Sequence, residues 1–320
     1  MSLPWLDGPR AALDSGIEGG RLGHAPLLRG PAGVGKRELA EWLLRRLLCH
    51  ASSTEAPCGR CASCHQVEAG IHPDLFRLGV LEDKKEIVVD QVRGFIDSLI
   101  LTPALGPRRV GVIVPADAMN RNAANALLKT LEEPSDEVWL VLVADREDRL
   151  PATIRSRCQQ LTLRPPSTAV ARDWLHARHP GREVAELEQA LFLAGGAPLE
   201  ADQWLGGEGL AAGLAMAEHL AGLLQQPQRP ARVPESWVAE PAFTWSWLAR
   251  LVRLWLGQLH DEGEQPIGTL PLPDRPDAVE RLEACWRAAL NGRRLAGESV
   301  RHDWLLQRWL QQWCQLAESG

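Results

Sequence analysis

Leu39, Leu43, Leu44, Leu47 and Leu48 recur at helical spacing and predict a helix over 37–48. It follows a short apolar run at 25–29 and a glycine-rich turn. A second stripe, Val92, Phe95, Ile96, Leu99 and Ile100, predicts a helix over 90–101. Between these two helices, 74–79 and 87–89 read as short extended pieces. Residues 110–114 and 138–144 are uninterrupted apolar runs rich in branched side chains, the signature of strands buried on both faces. A helix over 122–133, stopped by Pro134, separates them, and 160–163 reads as a last strand. Strands that alternate with helices imply an α/β fold built on a doubly wound, mainly parallel sheet.

Arg164-Pro165-Pro166 punctuates the chain, and the buried-strand pattern ends there. Two short helices are expected at 167–177 and 184–194, closed by Gly195-Gly196. From 206 onward the chain reads helical, with a proline-rich break at 227–241 and a turn-rich one at 263–276. Trp245, Trp247, Leu251, Val252 and Trp255 share a helical stripe, so these indoles are expected in a core. The expected layout is an α/β domain over 1–165, a small helical domain over 166–205 and a C-terminal helical domain over 206–320.

The 320 residues carry a formal net charge of −6, with a pI of about 5.9, which argues against a surface built to coat nucleic acid. No secretory pattern opens the chain, and its longest apolar runs fall well short of the roughly 20 residues that span a bilayer. The expectation is a cytoplasmic protein with no membrane partner. Its seven cysteines are then thiols or metal ligands rather than disulfides.

Gly30-Pro-Ala-Gly33-Val-Gly35-Lys36 has the spacing of a phosphate-binding loop between a strand and a helix. Glycines let the backbone N–H groups curl around a phosphate, the helix N-terminus adds positive potential, and the lysine reaches the terminal phosphates. The next residue in such loops is Ser or Thr, whose hydroxyl holds magnesium. Here it is Arg37, which repels a cation. The acids expected at the end of the second apolar strand are also missing, since Val114 and Pro115 stand there. Asp117 lies three residues beyond the magnesium position. Hydrolysis thereby loses its metal ligands and its water-positioning group, and nucleotide binding itself is in doubt.

Cys49, Cys58, Cys61 and Cys64 follow the phosphate-loop helix as C-x8-C-x2-C-x2-C. Two C-x2-C steps let thiolates converge on one ion, and a fourth sulfur from the helix end closes a tetrahedron. Four soft ligands with no open position suit structural zinc. Reduced, unliganded thiols and an iron–sulfur cluster are the alternatives. His50, His65 and His72 are read as solvent-facing or as supporting groups, Cys158 as part of an arginine-containing block, and Cys285 and Cys314 as core residues in helical patterns.

Asn125-Ala-Leu-Leu-Lys-Thr-Leu-Glu-Glu-Pro134, Thr153-Ile-Arg-Ser-Arg-Cys158 and Arg21-Leu-Gly-His-Ala25 resemble blocks of the bacterial clamp-loader family of DNA polymerase III. The match is dense over 1–165 and reaches 205 through Gly195-Gly196-Ala-Pro. The resemblance implies an AAA+-type P-loop domain over 1–165 with a zinc module inserted at 49–64, a helical lid over 166–205 and an oligomerising collar over 206–320. The departures at Arg37, Val114 and Pro115 fit the delta-prime branch. So does Leu199, where an active subunit carries a lid arginine.

The implied role is a non-motor subunit that helps load the sliding clamp onto primed DNA within the polymerase holoenzyme. The implied partners are gamma/tau and delta subunits and the clamp, with DNA met through the assembled ring. Arg157 would act in trans as an arginine finger on a neighbour's ATP. The alternative within the family is an active ATPase motor. A stand-alone P-loop ATPase or nucleotide kinase would need the missing hydroxyl and acid. A zinc-dependent nucleic-acid module would need a dense basic run that the chain lacks.

Overall fold

The computed structural model describes residues 2–51, 55–82, 84–135, 137–225, 231–259, 267, 270–272 and 276–317. The chain divides into two compact units, Met1–Asp202 and Gln203–Gly320.

The first unit is built on a five-stranded, wholly parallel sheet in the order β2-β3-β4-β1-β5. Its strands are β1 (Pro26–Arg29), β2 (Leu75–Leu78), β3 (Arg109–Ile113), β4 (Val138–Ala144) and β5 (Gln159–Thr162). Its helices are α1 (Asp7–Glu18), α2 (Lys36–Leu48), α3 (Ala62–Glu68), α4 (Val89–Leu99), α5 (Arg121–Glu132), α6 (Ala152–Arg155), α7 (Thr168–Arg178) and α8 (Val184–Leu193). α9 (Pro198–Leu205) runs across the division between the units. This parallel sheet with its accompanying helices is the α/β architecture that the alternating strand and helix pattern predicts.

The elements form for local reasons. All five residues of β3 are buried, as a central strand covered on both faces requires. Gly111 in β3 lies under α4, where an added Cβ would stand 2.6 Å from Phe95 Cζ, so a larger residue would push the helix off the sheet. Asn120 caps α5, its side chain accepting the N–H of Ala123 at 2.9 Å. Leu27, Phe95, Ile113, Leu127, Leu140 and Leu142 meet in one buried core around the sheet.

Several expectations are corrected. Residues 7–18 form a helix although Leu13 is their only buried residue, and 62–68 form a short one capped by Cys61. Val89 opens α4 rather than closing an extended piece. Ile87 makes a single parallel bridge to Met119.

The second unit is helical: α10 (Gly209–Gln225), α11 (Glu235–Ala239), α12 (Pro241–Gln258), α13 (Ala278–Leu295) and α14 (His302–Cys314). The expected break at 227–241 holds α11, and Pro241 is the first residue of α12, where its missing N–H costs nothing. Residues 226–230 and most of the break expected at 263–276 lie outside the described residues.

Trp245, Trp247, Trp255, Trp309 and Trp313 are buried within this unit. The Trp309 and Trp313 indoles donate to the carbonyls of Cys285 and Leu220 at 2.9 and 3.0 Å. Among the described residues, no helix is long and apolar enough to cross a membrane.

Candidate functional site

The phosphate loop lies where the sequence puts it, between β1 and α2, with Gly35 preceding the first turn of the helix. Neighbouring backbone packs closely against it. An added Cβ on Gly30 would meet the Leu163 carbonyl oxygen at 2.1 Å, so only glycine lets the loop leave β1 beside that carbonyl. Gly33 has φ +76°, and a Cβ there would stand 2.8 Å from both the backbone nitrogen and the Cβ of Glu200.

Leu199 N–H donates to the Gly33 carbonyl at 3.0 Å, so the start of α9 rests directly on the loop. On another side, the Trp5 indole donates to the Val34 carbonyl at 2.9 Å. Leu199, which stands where the resemblance implies an arginine, thus meets the loop through its backbone.

Lys36 is buried and fully engaged. Its ammonium lies 2.5 Å from Asp145 Oδ1 and donates to the Pro31 carbonyl at 2.5 Å. The register Arg29↔Ala144 explains the partnership: β1 and β4 are neighbours, so Gly30 and Asp145 leave the sheet side by side. Asp117 accepts the Asp145 N–H at 3.1 Å, and burial pushes the Asp117 carboxyl up. Arg37 is exposed, while Val114 and Pro115 are half-buried just after β3.

Asp145 was missed by sequence reasoning, which sought acids after the run at 110–114. The signal was an acid directly after the run at 138–144, one strand over.

Arg157 follows α6 on the surface, its side chain 34% exposed. Its Nε donates to Glu132 Oε1 at 2.7 Å, and a second guanidinium nitrogen pairs with the same oxygen. Its Nη1 donates to the Thr153 carbonyl at 3.0 Å. Glu132, the last residue of α5, thereby joins two of the three blocks that carry the family resemblance. Cys158 beside it is buried, which pushes its thiol up to about 12.

The four cysteines converge, with all Sγ atoms within 4.8 Å of one another. Cys49 Sγ lies 3.6 Å from Cys58 Sγ and 3.9 Å from Cys61 Sγ. Ligands about 2.3 Å from a tetrahedral centre stand roughly 3.8 Å apart, so the cluster fits a zinc-sized ion.

Backbone N–H groups face the sulfurs. Those of Ala51 and Cys58 approach Cys49 Sγ at 3.4 and 3.5 Å, and that of Cys64 approaches Cys61 Sγ at 3.4 Å. Burial works to raise the Cys61 thiol, but the N–H groups of His50 and Cys64 outweigh it and hold it at about 6. Cys58 is lowered chiefly by the Arg60 N–H, while burial pushes Cys64 up to about 12. A bound cation would hold all four as thiolates. His50 and His65 are exposed. His72 is buried and faces Ser63 rather than the sulfurs.

The family model for "DNA polymerase III, delta subunit" matches residues 9–167. The delta' subunit of DNA polymerase III from Pseudomonas aeruginosa is 42% identical over 252 residues, covering 76% of each chain. The Escherichia coli K12 delta' subunit is 35% identical over 252 residues, covering 74% of this chain and 73% of its own. The tau subunit from Escherichia coli K12 is 38% identical over 153 residues, 48% of this chain and 23% of its own. With such identity sustained across most of both chains, this chain belongs to the delta' subunit family of DNA polymerase III, related to the tau subunit.

Proposed function

We propose that this chain is a non-motor subunit of the DNA polymerase III clamp loader. It would help load the sliding clamp onto primed DNA without turning over a nucleotide of its own. The observation that carries this reading is the state of the phosphate loop, whose Lys36 is engaged by Asp145 and the Pro31 carbonyl while Glu200 crowds Gly33. A phosphate reaching Lys36 would have to compete with Asp145, a half-exposed carboxylate paired to a buried ammonium. Magnesium would then meet Arg37 instead of a hydroxyl, and no acid at Val114 or Pro115.

The catalytic contribution is made on another subunit's nucleotide. Arg157 is permanently charged, exposed and fork-shaped, and its anchor Glu132 is a surface carboxylate that a neighbour's phosphates can replace. As an arginine finger it would stabilise charge developing on the transferred phosphoryl group. The partners are gamma/tau and delta subunits and the clamp, and the setting is the cytoplasm. Residues 1–165 serve as the AAA+-type domain, 166–205 as its lid and 206–320 as the oligomerising collar. Cys49, Cys58, Cys61 and Cys64 hold one structural zinc, which supplies folding energy to the 49–64 module and no open coordination position for chemistry.

The test is a reconstituted complex. The isolated chain is expected to show no magnesium-stimulated ATP turnover above background. Arg157→Ala is expected to leave assembly intact and to slow hydrolysis at the adjoining site by roughly 10³–10⁵-fold. Arg157→Lys should rescue poorly, because a point charge cannot reproduce the fork. Lys36→Ala should change loading little. A complex crippled by Lys36→Ala and indifferent to Arg157→Ala reverses these roles and ends the reading.

A further inference from the structure

Behind the cysteine cluster runs a chain of buried polar groups. Asp74 N–H donates to His72 Nδ1 at 3.1 Å, which fixes the tautomer with its proton on Nε2. His72 Nε2 lies 2.9 Å from Ser63 Oγ, and Ser63 Oγ donates to the Leu48 carbonyl at 2.6 Å. The donors and acceptors are consistent in one direction only: Asp74 N–H to His72, His72 Nε2–H to Ser63, Ser63 O–H to Leu48. Ser63 has no exposed surface and His72 is 5% exposed, so each bond is made away from water, where a missing partner is costly.

The ends of this chain matter. Leu48 directly precedes Cys49, and Ser63 directly precedes Cys64. Cys49 comes from the end of α2 and Cys64 from the first turn of α3, two segments otherwise joined by a loop that includes undescribed residues. A cavity of about 120 Å³ opens beside Cys49, lined also by His50, Gly106, Pro107 and Arg108. Leu48 and His72 line the same cavity, so the hydrogen-bond chain runs along its wall beside Cys49.

We propose that His72 and Ser63 are positioning residues of the metal centre, whose buried hydrogen-bond chain from Asp74 to the Leu48 carbonyl fixes the separation of the backbone segments carrying Cys49 and Cys64. The inference rests on reading the four cysteines as a zinc site. Groups that orient ligands without touching the ion typically change metal affinity by roughly 10- to 100-fold when removed. Ser63→Ala leaves the Leu48 carbonyl and the His72 donor unpaired, so it is the strongest variant. His72→Phe keeps the Ser63–Leu48 bond and is expected to lose less. His72→Gln restores a donor toward Ser63 and should recover part of the loss.

The experiment uses the full chain. Zinc content of the wild type is measured first, then zinc affinity of each variant by competition with a chelator, then the visible spectrum of the cobalt(II)-substituted chain. Expected are about one zinc per wild-type chain, affinity lowered roughly 10- to 100-fold in Ser63→Ala, and a shifted cobalt ligand-field band. A wild-type chain that binds no zinc fails the underlying reading.

Variants that bind zinc as tightly as wild type, with an unchanged cobalt spectrum, overturn the positioning role while leaving the zinc site standing. So does an equal drop in melting temperature of zinc-loaded and metal-free protein, the mark of a merely structural defect. Should Ser63→Ala not fold, His72→Phe carries the same comparison.

Discussion

Asp74 has no exposed surface, and its carboxylate accepts the backbone N–H groups of Ala104 and Leu105 at 2.7 and 2.8 Å. Arg109 Nε lies 3.8 Å from the same carboxylate, while that guanidinium also donates to the Ser98 and Thr102 carbonyls. One side chain thus fixes the segment that leads into β3. Asp74→Ala orphans two N–H groups and leaves a buried cation short of its counter-charge, so a loss of about 3–5 kcal/mol is expected in urea denaturation. Asp74→Asn keeps an acceptor oxygen and should cost about 1–3 kcal/mol. An alanine variant within about 1 kcal/mol of wild type would show that the segment holds itself. At this scale the sequence was legible where residue type alone dictates chemistry, as in the cysteine spacing. It was not legible for Asp74, Asp145 or Glu132, whose partners lie far along the chain and are brought close only by the tertiary fold.

Helices of the second unit approach one another through glycine. A Cβ on Gly213 in α10 would stand 2.4 Å from the Trp247 ring of α12, and one on Gly292 in α13 would stand 2.3 Å from the Trp245 ring. Gly222, in the same helix as Gly213, has nothing within 4 Å of such a Cβ. Alanine at 213 or 292 should therefore destabilise by about 1–3 kcal/mol despite its better helix propensity. Alanine at 222 should stabilise by about 0.4–1 kcal/mol. If all three substitutions stabilised alike, propensity rather than indole packing would govern these helices. Elements with a strong apolar run or stripe, such as β4, α4 and α5, are readable from the sequence to within two residues. α1 is not, because a helix with a single buried leucine has almost no stripe to read. α3 is not, because seven residues capped by a cysteine resemble a loop in pattern.

For the whole molecule, the cysteine centre and most of the indoles belong to different units. Nine of the 13 tryptophans fall at or after Trp204, and those that are most buried pack within the second unit. Stripping metal with a strong chelator should lower the helical signal and melting point of the chain, since binding energy in such a module is folding energy. It should leave tryptophan emission close to that of the untreated protein. A red shift on chelation as large as that in denaturant would mean that the two units melt as one.

The close packing around the phosphate loop also bears on what single substitutions could restore. Replacing Arg37 with threonine would still leave Lys36 held by Asp145 and Gly33 crowded by Glu200. Removing Asp145 alone would leave a buried ammonium with the Pro31 carbonyl as its remaining named partner. On the proposed reading, a single substitution at Arg37 or Asp145 would therefore not restore turnover, and a measurable gain would need several changes made together.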